Sequence, residues 1–129
     1  MLRVELVSPE RILFEGEAEM VVCRTTEGEV AFLTGHAPFL GALAVAPLRV
    51  MAPGGTVTAA VHGGFVEVRD DRVIVLSDVA ELPDQIDPAR AREAQQRAEE
   101  RLRVDEGDVE ARAALARSLV RLELVGQPV

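Results

Sequence analysis

The sequence has no lysine, tryptophan or tyrosine, and these absences argue against several kinds of binding surface. Phenylalanine is the only aromatic residue and occurs four times in 129 residues. We therefore expect no surface that stacks nucleobases or sugar rings on aromatic side chains. The formal net charge is −8, whereas nucleic acids and anionic lipid surfaces attract positively charged proteins. We predict no nucleic-acid partner and no direct docking on a membrane.

Cysteine is almost absent. The single thiol, Cys23, lies in the apolar segment 20–23, which predicts a buried and unreactive side chain. One cysteine allows neither an internal disulfide nor a zinc site built from cysteines. The first residues also lack the apolar core and cleavage site of a signal peptide. We expect a reducing compartment and no bound metal.

Histidine occurs at two positions, which leaves little material for catalysis. His36 lies in a Gly-His-Ala-Pro turn and His62 precedes Gly63-Gly64. Neither has the spacing of a metal site, and the two glycines are not part of a phosphate-binding loop. A β-bulge or a close approach of two strands explains the glycines better. We predict no catalytic residues and no obligatory cofactor.

The first 80 or so residues consist of short Val-, Ile- and Thr-rich runs separated by turns. The turns at 53–55 and 70–71 predict β-hairpins. The segment 30–48 is long and uncharged, but its proline and glycine residues exclude a membrane helix and predict a loop followed by buried strands. The regular spacing predicts an antiparallel sandwich or a flattened barrel, and we favour an all-β sandwich of about ten short antiparallel strands.

The composition changes after residue 83. Asp87-Pro88 is a favourable helix start, and residues 89–103 are almost all strong helix formers. A turn at 105–108 and a second helix over 109–125 follow. We predict a C-terminal antiparallel two-helix hairpin, with domains at 1–84 and 85–129.

The predicted apolar stripe of the first helix is narrow. Its members recur at helical spacing and are Ala91, Ala94, Ala98 and Leu102. A buried methyl group contributes only about 0.8 kcal/mol, and helices of about 15 residues are marginal alone. We expect this hairpin to be stable only when docked, and able to detach.

Three segments then carry a family resemblance: residues 35–40 (GHAPFL), 62–68 (HGGFVEV) and 73–78 (VIVLSD). In this order, and followed by the hairpin, they resemble the epsilon subunit of bacterial F-type ATP synthase over essentially the full length. The resemblance implies a sandwich bound to the gamma subunit and seated on the membrane-embedded c-ring. It places the chain at the cytoplasmic face of the bacterial membrane, as a peripheral protein held there through its partners.

The resemblance also implies a non-catalytic rotor subunit, which couples rotation between the c-ring and the catalytic head. The hairpin would restrain ATP hydrolysis when it extends toward the beta and alpha subunits. The residues that the resemblance assigns to the c-ring and gamma interface are Glu27, Glu29, Gly35, His36, Pro38 and Phe39. Their residue types alone favour solvated turns.

Some members of the family bind ATP between the two helices through a motif similar to residues 86–91 (IDPARA). The resemblance therefore implies ATP as a possible regulatory ligand, not an obligatory cofactor. The matching positions are Glu81, Ile86, Asp87, Arg90, Ala91, Arg97, Arg117 and Arg121.

Residue spacing agrees with this hypothesis. Arg90 and Arg97 are seven apart on the first helix, and Arg117 and Arg121 are four apart on the second, so each pair shares a helix face. Guanidinium groups match phosphate oxygens well.

Three alternatives stay open. The arginines could instead form surface ion pairs such as Glu93–Arg97 and Glu99–Arg103, which have the favourable i, i+4 spacing. The chain could be a stand-alone nucleotide-sensing module, or an adaptor whose hairpin never moves.

Overall fold

The chain divides into two compact units, Met1–Leu82 and Pro83–Val129, and the computed structural model describes residues 1–128. The first unit contains ten strands: β1 (Leu2–Ser8), β2 (Arg11–Ala18), β3 (Met20–Thr25), β4 (Gly28–Leu33), β5 (Phe39–Ala42), β6 (Val45–Ala52), β7 (Gly55–His62), β8 (Phe65–Arg69), β9 (Arg72–Leu76) and β10 (Ala80–Glu81). The second unit contains a short 3₁₀ turn (Pro83–Gln85), α1 (Pro88–Val104) and α2 (Val109–Leu124).

The strands form two five-stranded sheets. Sheet A has the order β2-β1-β9-β8-β5, and sheet B has the order β10-β7-β6-β3-β4. This sandwich, followed by two helices, confirms the predicted fold class. One pairing departs from the antiparallel expectation, since β1 and β9 run parallel. Parallel neighbours need a long connection, and here the chain passes through sheet B between them.

The core lies between the sheets because apolar residues alternate along the strands. Leu2, Val4 and Leu6 of β1 are fully buried, and Phe32 of β4 is the largest side chain among them. Cys23 is also buried, as the sequence predicts. Burial, with a smaller contribution from Glu29, raises the pKa of its thiol to about 11.

The predicted hairpin turns are present. Pro53-Gly54 joins β6 to β7, and Asp70-Asp71 joins β8 to β9 with Arg69 paired to Arg72. Asp70 and Asp71 have φ values of 51° and 58°. Two positive φ angles in a two-residue turn match type I′, which follows the natural twist of the strands. The uncharged segment 30–48 forms parts of β4 and β6, all of β5 and a loop at 34–38.

The helix starts also follow the sequence signals. Asp87 is the N-cap of α1 and accepts hydrogen bonds from the amides of Ala89 (3.0 Å) and Arg90 (3.3 Å), with Pro88 in the first turn. Asp108 caps α2 and accepts from the Ala111 amide at 3.0 Å.

The charge of the Asp108 carboxylate is stabilised. The backbone hydrogen bond from Ala111, and then the hydrogen bond and positive charge of Arg101, lower the pKa of Asp108. Arg101 and Asp108 form the ion pair that spans the turn between the helices, at 3.0 Å.

The helices are in contact, and α1 buries only Ala91, Gln95 and Ala98, whereas α2 also buries Val120 and Leu122. Ala91 and Ala98 are buried as predicted, and Gln95 joins them with its amide oxygen bonded to Arg92 at 2.7 Å. None of the helices within residues 1–128 is both long and apolar enough to cross a membrane.

Candidate partner interface and nucleotide site

The predicted interface loop at 34–38 connects the two sheets. Gly35 has a φ of 85°, a conformation that favours glycine. Its amide donates a hydrogen bond to Asp71 Oδ1 at 2.7 Å, and the His36 amide donates to the Leu33 carbonyl at 3.0 Å. The imidazole Nδ1 of His36 lies 2.6 Å from the Ala37 carbonyl oxygen. The loop therefore has a defined backbone, although most of it is exposed.

Aromatic rings anchor the other side of this loop. The ring of His36 meets the buried Phe32 edge-on at 4.9 Å, and the ring of Phe39 lies 5.4 Å from Phe32. Gly41 leaves room for Phe39, because a Cβ atom there would lie 2.7 Å from the ring. Phe39 thus packs toward the core, while Gly35 and Pro38 face solvent.

The other predicted interface residues, Glu27 and Glu29, are exposed beside the β3–β4 turn. The Thr25 hydroxyl organises this turn, donating to the Gly28 carbonyl at 2.9 Å and accepting from the Glu27 amide at 3.1 Å. The turn and the loop at 34–38 lie at opposite ends of β4. Six residues of strand separate them by about 20 Å. The structure therefore places Glu27 and the tip of the loop at 34–38 at opposite ends of β4, with Glu29 on the strand between them.

We name the two ends of the sandwich by a residue of each. The Pro9 end holds the turns at 9–10, 26–27 and 63–64. The Asp71 end holds the loop at 34–38 and the turn at 70–71.

The outer face of sheet A carries a feature that the sequence analysis missed. Near the Pro9 end, five apolar residues are paired side by side across all five strands. This apolar row consists of Ile12, Val7, Leu76, Phe65 and Ala42. Ile12, Leu76 and Phe65 are 57%, 54% and 58% exposed. A cavity of about 320 Å³ opens beside them, lined in part by Val7, Phe65 and Leu76.

The rest of this face is mixed: Leu40 and Ile74 lie in the next row with Glu5 and Glu67, and Leu40 is 70% exposed. Toward the Asp71 end, Arg3, Arg72 and Arg69 are neighbours on adjacent strands. Arg3 pairs with Glu15 at 2.8 Å, and Arg72 approaches Glu5 at 3.5 Å. A signal for the apolar row exists in the sequence, since Val7, Phe65 and Leu76 occupy alternate strand positions where a solvated face would carry polar residues.

The glycine pair at 63–64 has the role expected from the sequence. Gly64 has a φ of 112°, and a Cβ atom there would lie 2.1 Å from the Leu76 carbonyl oxygen. The Ser77 hydroxyl lies 2.7 Å from the Gly63 carbonyl oxygen and 2.9 Å from that of Val79. The close approach of two strands is thereby confirmed.

The predicted nucleotide motif has structural tasks of its own. Ile86 and Ala91 are 7% and 3% exposed, and Asp87 caps α1. Glu81 lies in β10, where its Oε1 is 2.8 Å from His62 Nε2. These contacts account for the four residue types without a ligand.

The four predicted arginines occupy equivalent positions on their helices. Each directly precedes a buried residue: Arg90 before Ala91, Arg97 before Ala98, Arg117 before Ser118 and Arg121 before Leu122. Each therefore lies about 100° around the helix from the buried stripe, in the same rotational sense. Arg90 and Arg97 therefore share one flank of α1, and Arg117 and Arg121 share one flank of α2, which is also buried at Val120 on another side.

Arg90, Arg97 and Arg117 are not engaged in the surface ion pairs that formed the alternative hypothesis. Within residues 1–128, neither Glu93–Arg97 nor Glu99–Arg103 makes an ion pair, and the side chains of Arg90 and Arg117 make no hydrogen bond. A cavity of about 450 Å³ lies near the turn between the helices, and Arg97 is the one predicted residue that lines it.

Fold and site together define a class of protein: a β-sandwich with an exposed apolar row across one sheet, followed by a two-helix hairpin. In residues 1–128, no group of three or more His, Cys, Asp or Glu side chains could hold a metal ion.

Comparisons with known proteins identify the family. Residues 1–83 match the β-sandwich domain of the ATP synthase delta/epsilon chain, and residues 84–126 match its long α-helix domain. An ATP synthase epsilon chain from Shouchella clausii is 43% identical over 124 residues, covering 95% of this chain and 93% of the relative. One from Thermobifida fusca is 48% identical over 125 residues, covering 94% and 89%. The chain belongs to the ATP synthase epsilon chain family, and it is a non-catalytic subunit.

Solved structures agree with this assignment. A chain of the Euglena gracilis mitochondrial ATP synthase, in a structure of OSCP, F1 and c-ring, has a TM-score of 0.71 at 25% identity, covering 97% of this chain and 77% of that one. A chain from the central stalk and c-ring structure of the Tetrahymena thermophila mitochondrial ATP synthase has a TM-score of 0.61 at 15% identity, covering 96% of each chain. The second likeness supports the fold alone.

Proposed function

We propose that the chain is a central-stalk subunit of a proton-translocating F-type ATP synthase, at the cytoplasmic face of a bacterial membrane. It transmits rotation between the c-ring and the catalytic head, and its hairpin restrains ATP hydrolysis. Family membership supports the assembly. The apolar row on sheet A is the observation that supports a position in the stalk, because an exposed row of apolar side chains is typical of a surface that a partner protein covers.

The apolar row is the contact for the gamma subunit. Soluble proteins rarely expose contiguous apolar surface without a binding role. The row crosses the entire sheet, and its most exposed members are Phe65, Ile12 and Leu76. Such a flat face suits a partner that lies along the side of the sandwich. Co-purification with gamma and c subunits tests this proposal, and isolation of the chain alone would favour the stand-alone nucleotide sensor.

The two ends of β4 serve different partners. The turn at 26–27 and the loop at 34–38 lie about 20 Å apart along the strand, which is far enough for them to contact different partners. One end faces the c-ring and the other faces gamma. Single-cysteine variants Glu29→Cys and His36→Cys, prepared with Cys23→Ser, would be crosslinked in the assembled complex. Crosslinks of both variants to the same partner residue would contradict the division.

The hairpin acts as a brake through two populations, one folded and one extended along the stalk toward the beta and alpha subunits. The alanine stripe of α1 supports this mechanism, because buried methyl groups contribute little to hold that helix in place. Deletion of residues 88–129 should raise ATP hydrolysis by the assembled complex and leave assembly intact. Unchanged hydrolysis would refute the brake but not the stalk role.

ATP is a regulatory ligand of the two arginine pairs, Arg90 with Arg97 on α1 and Arg117 with Arg121 on α2. The absence of ion pairs from Arg90, Arg97 and Arg117 within the described residues leaves their guanidinium groups available for phosphate oxygens. Isothermal titration of the full chain should detect ATP binding that Arg117→Ala weakens at least about tenfold. Arg103→Ala is the matched control, since Arg103 is exposed on the opposite flank of α1. Equal loss in both variants, or no heat at millimolar ATP, would refute the site.

A further inference from the structure

The loop at 34–38 is tied to a hairpin that lies 36 residues away in sequence. The Gly35 amide donates to Asp71 Oδ1 at 2.7 Å. The carboxylate reaches the loop from the β8–β9 turn, whereas the aromatic contacts of His36 and Phe39 come from β4. The loop is therefore held from both sheets of the sandwich.

The residue types in the β8–β9 turn are unusual for their conformation. Asp70 and Asp71 both have positive φ, a requirement that Asn-Gly or Asp-Gly meets with least strain. The Asp70 side chain makes no hydrogen bond within the described residues, whereas Asp71 makes the bond to Gly35. The carboxylate at position 71 has a task that glycine could not perform.

We propose that Asp71 is a positioning residue for the partner contact of the loop at 34–38. This inference rests on the proposed role of the loop as an interface. Asp71 fixes the backbone at Gly35, and the exposed tip at Ala37-Pro38 is thereby held in its binding conformation before the partner arrives. Preorganisation lowers the entropy lost on association. Loss of this one hydrogen bond to a charged group should make the binding conformation of the loop less populated, and the affinity for the partner should fall by about tenfold.

Two glycine substitutions separate positioning from turn strain. Asp71→Gly and Asp70→Gly each remove the strain of one non-glycine residue at positive φ, but only Asp71→Gly removes the hydrogen bond to Gly35. Amide exchange of the labelled full-length chain, followed by NMR, should show Gly35 exchanging about tenfold faster in Asp71→Gly. Asp70→Gly should exchange as the wild type does, and Asp71→Asn should restore protection because its amide oxygen also accepts. Unchanged exchange in Asp71→Gly would overturn the positioning role.

Binding to ATP synthase particles stripped of this subunit completes the test. Asp71→Gly should bind about tenfold more weakly, while Asp70→Gly and Asp71→Asn bind like the wild type. Ala37→Arg, which places a bulky side chain at the exposed tip, tests the interface itself. If Ala37→Arg binds normally, the loop does not face a partner and the proposed function of the loop is wrong. If Ala37→Arg is impaired but Asp71→Gly binds normally, the inference about Asp71 is wrong and the interface stands.

Discussion

Phe65 offers the sharpest test of the apolar row, because it lies in the row's interior and is paired with Leu76 on one side and Ala42 on the other. Its side chain is 58% exposed, which corresponds to about 100 Å² of apolar surface for a ring of this size. Burial of that surface against gamma contributes about 2 kcal/mol after the small side chain of serine is allowed for. Phe65→Ser should therefore raise the Kd for gamma about 30-fold.

The assay is a fluorescence titration of the full-length chain with purified gamma, together with urea unfolding of the same samples. Loss of the cross-strand contact with Leu76 should cost less than about 1 kcal/mol in folding stability, so the variant remains folded while its affinity falls. Val104→Ser is the matched control, since Val104 is 90% exposed but lies on the hairpin. If Phe65→Ser binds gamma within about twofold of the wild type, the apolar row is not the gamma contact.

Three further outcomes are expected. Gly64→Ala should lower the free energy of unfolding by about 2–4 kcal/mol, because the added Cβ would meet the Leu76 carbonyl oxygen. Gly63→Ala has open space at its Cβ and should cost less in the same urea titration. Equal losses in the two variants would contradict the close approach. Because the pKa of Asp108 is lowered, its charged form stabilises the folded chain fully above the ordinary value of 3.8, and this stabilisation is lost as pH falls through the lower folded-state value. The free energy of unfolding, measured from about pH 2 to 6, should therefore depend less on pH in Asp108→Asn than in the wild type. The same pH dependence in both would assign the effect to another group. With a pKa of about 11, the buried Cys23 thiol should react with a thiol reagent at pH 7.5 only in denaturant, and rapid labelling of the native chain would disagree with its burial.

Local signals predicted the hairpin well. Asp87-Pro88 fixed the start of α1, and the turn at 105–108 gave two helices whose observed ends differ from the prediction by one residue or less. A side-chain oxygen at the N-cap and a proline in the first turn act within a few residues of chain. The two-residue strand β10 was not predicted, because its pairing with β7 depends on residues far away in sequence.

The nucleotide hypothesis illustrates a different limit. The spacing of Arg90 and Arg97 placed them on one face of α1, but it did not say toward which side of the hairpin that face points. In the structure, Arg90 and Arg97 flank the buried stripe of α1, and Arg117 and Arg121 flank the buried Ser118 and Leu122 of α2. Whether ATP occupies that face stays a prediction for titration.

The sequence by itself determined the elements of this protein, including the sandwich strands, the capped helices and the glycine pair where strands meet. Periodicity, caps and turn residues act over a few positions, so they are readable without a structure. Only the tertiary structure decided which strands became neighbours. The parallel pairing of β1 with β9 assembles the apolar row from Val7, Leu76 and Phe65. The packing of the β8–β9 hairpin against the loop between the two sheets likewise brings Asp71 to Gly35. Local patterns allow many strand pairings, and the choice among them is made by the packing of the whole core.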